Sequence, residues 1–249
     1  SATIFLEKCT GKYAETSTCR LFSLYSWSRY GKLRTFDQKL EKYLRDASRR
    51  GDRYLEATLV RYGHRAYLLH DRPTFAKEEI KRALWPTPEG AFHLQNWYEL
   101  EAFCQIAMYQ GRIEDILKLQ EEGFRGLEKS LLLRVQLIRT VANWLRARIL
   151  VTLALQDPNT AKTKINKAQK LCKTIDKEKV VTYPKVFAAL VRPAITLQRG
   201  DKEQAIAELR RAVTLAEENQ MLFHLAGAKR RLGELLGLET EEGAAFYQE

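Results

Sequence analysis

The sequence predicts an all-α chain, a solenoid of about five to six helical hairpins, from three observations. The first is a recurring turn. Compact breaks at Tyr30-Gly31-Lys32, His70-Asp71-Arg72, Gln110-Gly111-Arg112, Gln156-Asp157-Pro158 and Arg199-Gly200-Asp201 punctuate long helix-period stretches. Their centres, 31, 71, 111, 157 and 200, are 40, 40, 46 and 43 residues apart, within the range of helical-hairpin arrays. The second is a spacing of small residues after the turns: Ala76 and Ala83, Ala161 and Ala168, Ala205 and Ala212. Seven residues make two helical turns, so each pair lies on one face and lets a neighbouring helix approach closely. The third is composition. With 13 Gly and 6 Pro in 249 residues, and 45% hydrophobic and 29% charged, the chain has too few turn formers for a loop-rich β protein. It has too much apolar content for a disordered one.

Taken in order, the expected helices are 17–30 and 36–50, 53–70 and 74–85, 93–110 and 113–129, 132–156 and 160–178, 184–199 and 202–219. A last helix over 222–236 and a short acidic segment close the array. Trp85-Pro86-Thr87-Pro88 cannot be helical, because two prolines remove donors and clash with the preceding turn. Pro193 falls inside an expected helix and should bend or shorten it. The domain reading is a single helical-repeat domain over 1–249, cut from a longer protein, with a break near 85–92.

After the Gly-containing turn, the Ala pairs resemble the second helix of tetratricopeptide repeats. The likeness is best over 183–218, partial around 57–84, 97–124 and 142–172, and poor at the N-terminus. Spacings of 40 to 46 exceed the usual repeat of about 34, so this is a long, degenerate variant. Ala228-Lys-Arg-Arg-Leu-Gly-Glu-Leu-Leu-Gly237, with Glu241-Glu-Gly243 after it, resembles the end of the repeat tail of some bacterial serine/threonine kinases. The resemblance implies a right-handed solenoid acting as a regulatory arm of a larger signalling protein.

Chemistry is sparse. His64, His70, His93 and His224 form no short metal-ligand spacing, and no nucleophile elbow or kinase signature occurs. Gly123-Phe-Arg-Gly126-Leu-Glu-Lys129-Ser130 imitates a phosphate loop, but Glu128 stands where glycine is needed and the surroundings read as helix. Paired glutamates such as Glu121-Glu122 diverge by about 100° on a helix and do not share a proton. No enzyme, metal or cofactor is expected. Cys9, Cys19, Cys104 and Cys172 show no CxxC pair, which favours reduced thiols and a cytoplasmic setting. No membrane span is expected: the most apolar run, Ile149–Leu155, is seven residues long and contains a Thr, far short of about 20.

What remains is a binding surface. Counting from Gly111, Leu100, Phe103, Cys104 and Ala107 pack inward, leaving Tyr98, Glu101, Gln105 and Met108 on the concave wall. The same offset places Thr58, Arg61 and Arg65 on one flank and Asn143 and Arg146 on the other. Arg61, Arg65, Tyr98, Glu101, Gln105, Asn143 and Arg146 would form a polar track with basic ends, suited to a protein or an acidic peptide, or to adjoining domains of the parent chain. In the fifth hairpin the offset gives Phe187, Leu190 and Ala194 on the wall and Arg192 in the core. Either the register fails there or that wall is apolar and covered. Asn96-Trp97 and Asn143-Trp144 recur as packing residues.

The net charge of +11 is uneven. Residues 1–83 carry 18 Lys+Arg against 10 Asp+Glu, while 84–166 carry 10 against 9 and 167–249 carry 14 against 12. The basic first third, with Tyr25, Tyr30, Tyr43, Tyr54 and Tyr62 interleaved, raises a second reading, a nucleic-acid-associated helical repeat. Acidic residues mixed among the basic ones weigh against it. A third reading is a small-molecule-sensing arm of a transcriptional regulator.

Overall fold

The computed structural model describes residues 13–83, 85–179 and 181–237, so Cys9 and the expected acidic segment after Gly237 lie outside the described residues. The fold is all-α, with no strand among the described residues. The chain forms two compact units, Ser1–Ser130 and Leu131–Glu249. The division follows Ser130, while the non-helical connection before Leu94, which contains Trp85-Pro86-Thr87-Pro88, lies inside the first unit.

The first unit contains α1 (Tyr13–Arg29), α2 (Leu33–Arg49), α3 (Arg53–Tyr62), α4 (His64–Leu69), α5 (Pro73–Arg82), α6 (Leu94–Tyr109) and α7 (Ile113–Lys129). The expected helix over 53–70 is two helices, because Gly63 interrupts it. A Cβ there would come within 2.8 Å of the Leu59 carbonyl and 2.9 Å of Leu40 Cδ2, so only glycine lets α2 approach this closely. The core gathers Val60, Ala76, Ile80, Ala102 and Ile106. The two glycines of the phosphate-loop imitation sit on α7 at crowded contacts: Gly123 against Leu100 and Gly126 against Phe92. Their role is close packing.

The second unit contains a 3₁₀ turn at Leu131–Arg134, then α8 (Gln136–Gln156), α9 (Pro158–Asp176), α10 (Tyr183–Gln198), α11 (Lys202–Glu218) and α12 (Leu222–Leu236). Each of these helices packs on the next, and α8 also meets α10. Ala168, Ala205 and Ala212 are fully buried, while Ala161, seven residues before Ala168, is half-buried. Pro193 stays inside a continuous α10, so it does not shorten the helix.

The turns work as their residues dictate. Gly200 has φ +88° and Asp71 has φ +52°, both in the left-handed region that closes a helix. Asp71 tolerates it because short polar side chains visit that region more readily than others. The Asp157 turn is built differently. Asp157 is extended and caps α9 by accepting from the Asn159 amide at 3.1 Å, with Pro158 at the first helical position.

Candidate functional site

In the first unit the expected polar track is interior. Arg61 is 2% exposed. Its guanidinium donates to Glu99 Oε2 at 2.7 Å and to the carbonyls of Ala83 at 2.9 Å and Ala57 at 3.2 Å. Arg65 pairs with Glu101, whose side chain is 2% exposed, and lies 4.2 Å over the Tyr62 ring. Tyr62 contacts Tyr25 with ring centroids 4.3 Å apart, and its hydroxyl meets Ser28 Oγ at 3.0 Å. Tyr98 is buried beside them, and Gln105 is half-buried. The reason is packing: α3 and α4 both lie against α6, so residues assigned to an open wall face one another. Arg61, Tyr98 and Glu101 therefore form no exposed surface, which corrects the reading from the repeat register.

The electrostatics of this cluster suit a fixed ion pair. Burial, then the neighbouring Tyr98 and Glu101, pushes the Tyr25 phenol well above its ordinary value. Burial alone would lower Arg65, but Glu101 and the tyrosines leave it raised. Burial also pushes the Cys104 thiol up to about 12 and Cys172 up to about 11, so neither presents a thiolate nucleophile near neutral pH.

His64 is the one described histidine whose ring is sealed in this interior, 1% exposed. Its Nδ1 lies 2.7 Å from the Arg61 carbonyl, so this nitrogen donates, while the buried Nε2 has no hydrogen-bond partner. Burial first, and the Arg65 charge second, hold its pKa well below the histidine range. Below about pH 6.5 the unfolded chain then binds a proton that the folded chain refuses. Stability should be complete above that pH and fall by about 1.4 kcal/mol per pH unit beneath it. Thermal melts at pH 7.5 and 5.5 should show this loss, and His64→Gln should flatten it. An equal loss in both proteins would place the titration elsewhere.

In the second unit, Asn143 and Arg146 lie half-buried on α8. The more organised feature is beside them. Trp144 of α8 stacks on Phe187 of α10, with centroids 4.3 Å apart and planes 13° from parallel. Arg148 lies 4.6 Å over the Trp144 ring, and Tyr183 and His224 close on the edges of the stack. Next to it an open cavity of about 220 Å³ is lined by Trp144, Arg148, Val151, Thr152, Leu190, Val191 and Ala194. Leu190 and Ala194 are the residues that the repeat offset placed on the wall of the fifth hairpin. Phe187, which the offset also put on the wall, is buried, and Arg192, which it put in the core, is half-buried and pairs with Asp176.

No family model, curated protein or solved structure matches the chain. The site is thus read from its own chemistry: an aliphatic and aromatic trough with one guanidinium lining it. Among the described residues no group of three or more His, Cys, Asp or Glu is placed to hold a metal, and no helix is long and apolar enough to cross a membrane. Sequence reasoning treated both Asn-Trp pairs as packing. Trp97 is core at 1% exposed, and Trp144, half-buried, packs against the core of the second unit while also bordering the trough. The distinguishing signal was Arg148, one helical turn after Trp144 and on the same face.

Proposed function

We propose that the chain is a non-catalytic protein-interaction module, a right-handed tetratricopeptide-like array of five to six hairpins serving as the regulatory arm of a larger cytoplasmic signalling protein. The carrying observation is the trough between α8 and α10. Apolar side chains from two helices converge there, and Arg148 stands at the Trp144 face. Such a trough takes a bulky apolar side chain of an extended peptide, and the guanidinium selects a carboxylate beside it. The buried alanines at the helix contacts and the left-handed turn residues support the repeat reading.

Peptide-phage selection on the purified chain should enrich sequences with one bulky apolar residue flanked by Asp or Glu. Synthetic versions should bind at least tenfold more weakly to Ala194→Trp, which fills the trough, and to Arg148→Glu, which reverses its charge. Failure to enrich such peptides, or equal affinity for both folded variants, would refute the assignment.

A further inference from the structure

Helix α9 turns a row of lysines to solvent. Lys162, Lys167, Lys170 and Lys173, together with Lys177 at its C-cap, are all exposed, with Thr163, Asn166 and Thr174 exposed among them. Ile165, Ala168, Cys172 and Ile175 form the opposite, buried side. At about 100° per residue these lysines share one arc of the helix surface. None of the five makes an ion pair with a described residue. The carboxylates nearest in sequence are already engaged: Asp157 by Lys164 at 3.3 Å, Asp176 by Arg192, and Glu178 by Arg139 at 2.7 Å.

Other outer faces differ. Exposed Lys202, Arg210 and Arg211 of α11 are balanced by exposed Glu203, Glu217 and Glu218. On the surface of the basic first third, Arg45 pairs with Glu41, Lys77 with Asp115 and Arg82 with Glu79. On α9, Lys167, Lys170, Lys173 and Lys177 succeed one another at three- and four-residue spacing, where like charges repel. A bound polyanion would relieve that repulsion.

We propose that this face of α9 binds the sugar–phosphate backbone of duplex nucleic acid without reading its sequence. Charge complementarity selects the class of partner, and what the face lacks selects within it. Every exposed side chain from Lys162 to Lys177 is polar or charged, so a protein partner would find no apolar centre to desolvate. For the same reason nothing would enter a bilayer interface, and no aromatic ring is available to stack an unpaired base. Phosphate contacts need only lysines and small polar donors. The row is about 22 Å long at 1.5 Å per residue, enough to reach phosphates on both sides of a major groove about 12 Å wide.

The inference is independent of the trough between α8 and α10. Its test is fluorescence anisotropy of a 20-base-pair DNA duplex with the full chain, between 50 and 200 mM salt. Five lysine contacts predict a log–log slope near −4.5, roughly a 500-fold loss over that range. The combined Lys167→Gln, Lys170→Gln, Lys173→Gln and Lys177→Gln variant should keep its melting temperature, bind at least tenfold more weakly at 50 mM salt and show a slope near −1. Neutralising Arg34, Lys42 and Arg49 on α2 together should leave binding nearly unchanged. The proposal is overturned by undetectable duplex binding at 50 mM salt or by unchanged binding in the α9 variant. Stronger binding to the single strand, or to vesicles of phosphatidylserine and phosphatidylcholine, would overturn it as well.

Discussion

Glu101→Ala should destabilise the first unit by about 3–5 kcal/mol, the range for stranding one partner of a buried ion pair. Glu101 pairs with Arg65, and the two side chains are 2% and 24% exposed. The substitution removes the carboxylate and leaves a guanidinium held over the Tyr62 ring, with water largely excluded. The double variant Arg65→Met/Glu101→Leu should recover most of the loss, because an apolar pair of similar volume carries no desolvation cost. Urea unfolding measures both, and hydrogen exchange in α3, α4 and α6 localises the effect. A loss under about 1 kcal/mol for Glu101→Ala would mean that Arg65 reaches solvent once its partner is gone.

Phe187→Ala should cost the second unit about 3–5 kcal/mol, as large-to-small changes of buried aromatic residues do. Phe187 is 2% exposed and holds Trp144 in a stack, with Tyr183 against its edge. Part of the loss is the aromatic pair itself, about 0.5–1.5 kcal/mol beyond area burial. Phe187→Leu should lose less, since it restores volume but not the stack. The near-ultraviolet circular dichroism of Trp144 should change in both variants. Peptide affinity at the trough should fall even at temperatures where the Ala variant remains folded. An unchanged melting temperature would show that α8 and α10 are held together elsewhere.

The repeat register failed in the first unit for a definable reason. Counting from Gly111 assumes that one face of α6 stays open, but α3 and α4 both pack against it and bury Tyr98 and Glu101. Arg61 on α3 thereby reaches Glu99, and it also donates to the carbonyl of Ala83, so it is structural. In the fifth hairpin the same register put Phe187 on the wall and Arg192 in the core, whereas Phe187 is buried and Arg192 is only half-buried, paired with Asp176. The lysine face was hidden by arithmetic. A division after residue 166 splits the run from Lys162 to Lys179, and glutamates farther along offset its second half.

The sequence by itself determined the local structure. Turn residues able to adopt positive φ, alanines seven apart and prolines at breaks act within a few residues, so helix identity and order were legible. Only the tertiary structure decided which polar residues are surface. An arginine on a helix looks the same in sequence whether it meets water or a glutamate 38 residues away, as Arg61 meets Glu99. That distinction arises from the closeness of α3, α4 and α6. In the second unit, contact between α8 and α10 likewise set Trp144 on Phe187, while α9 kept its lysines on the side away from its buried residues. Burial and pairing are properties of neighbours distant in the chain, and one-dimensional spacing does not carry them.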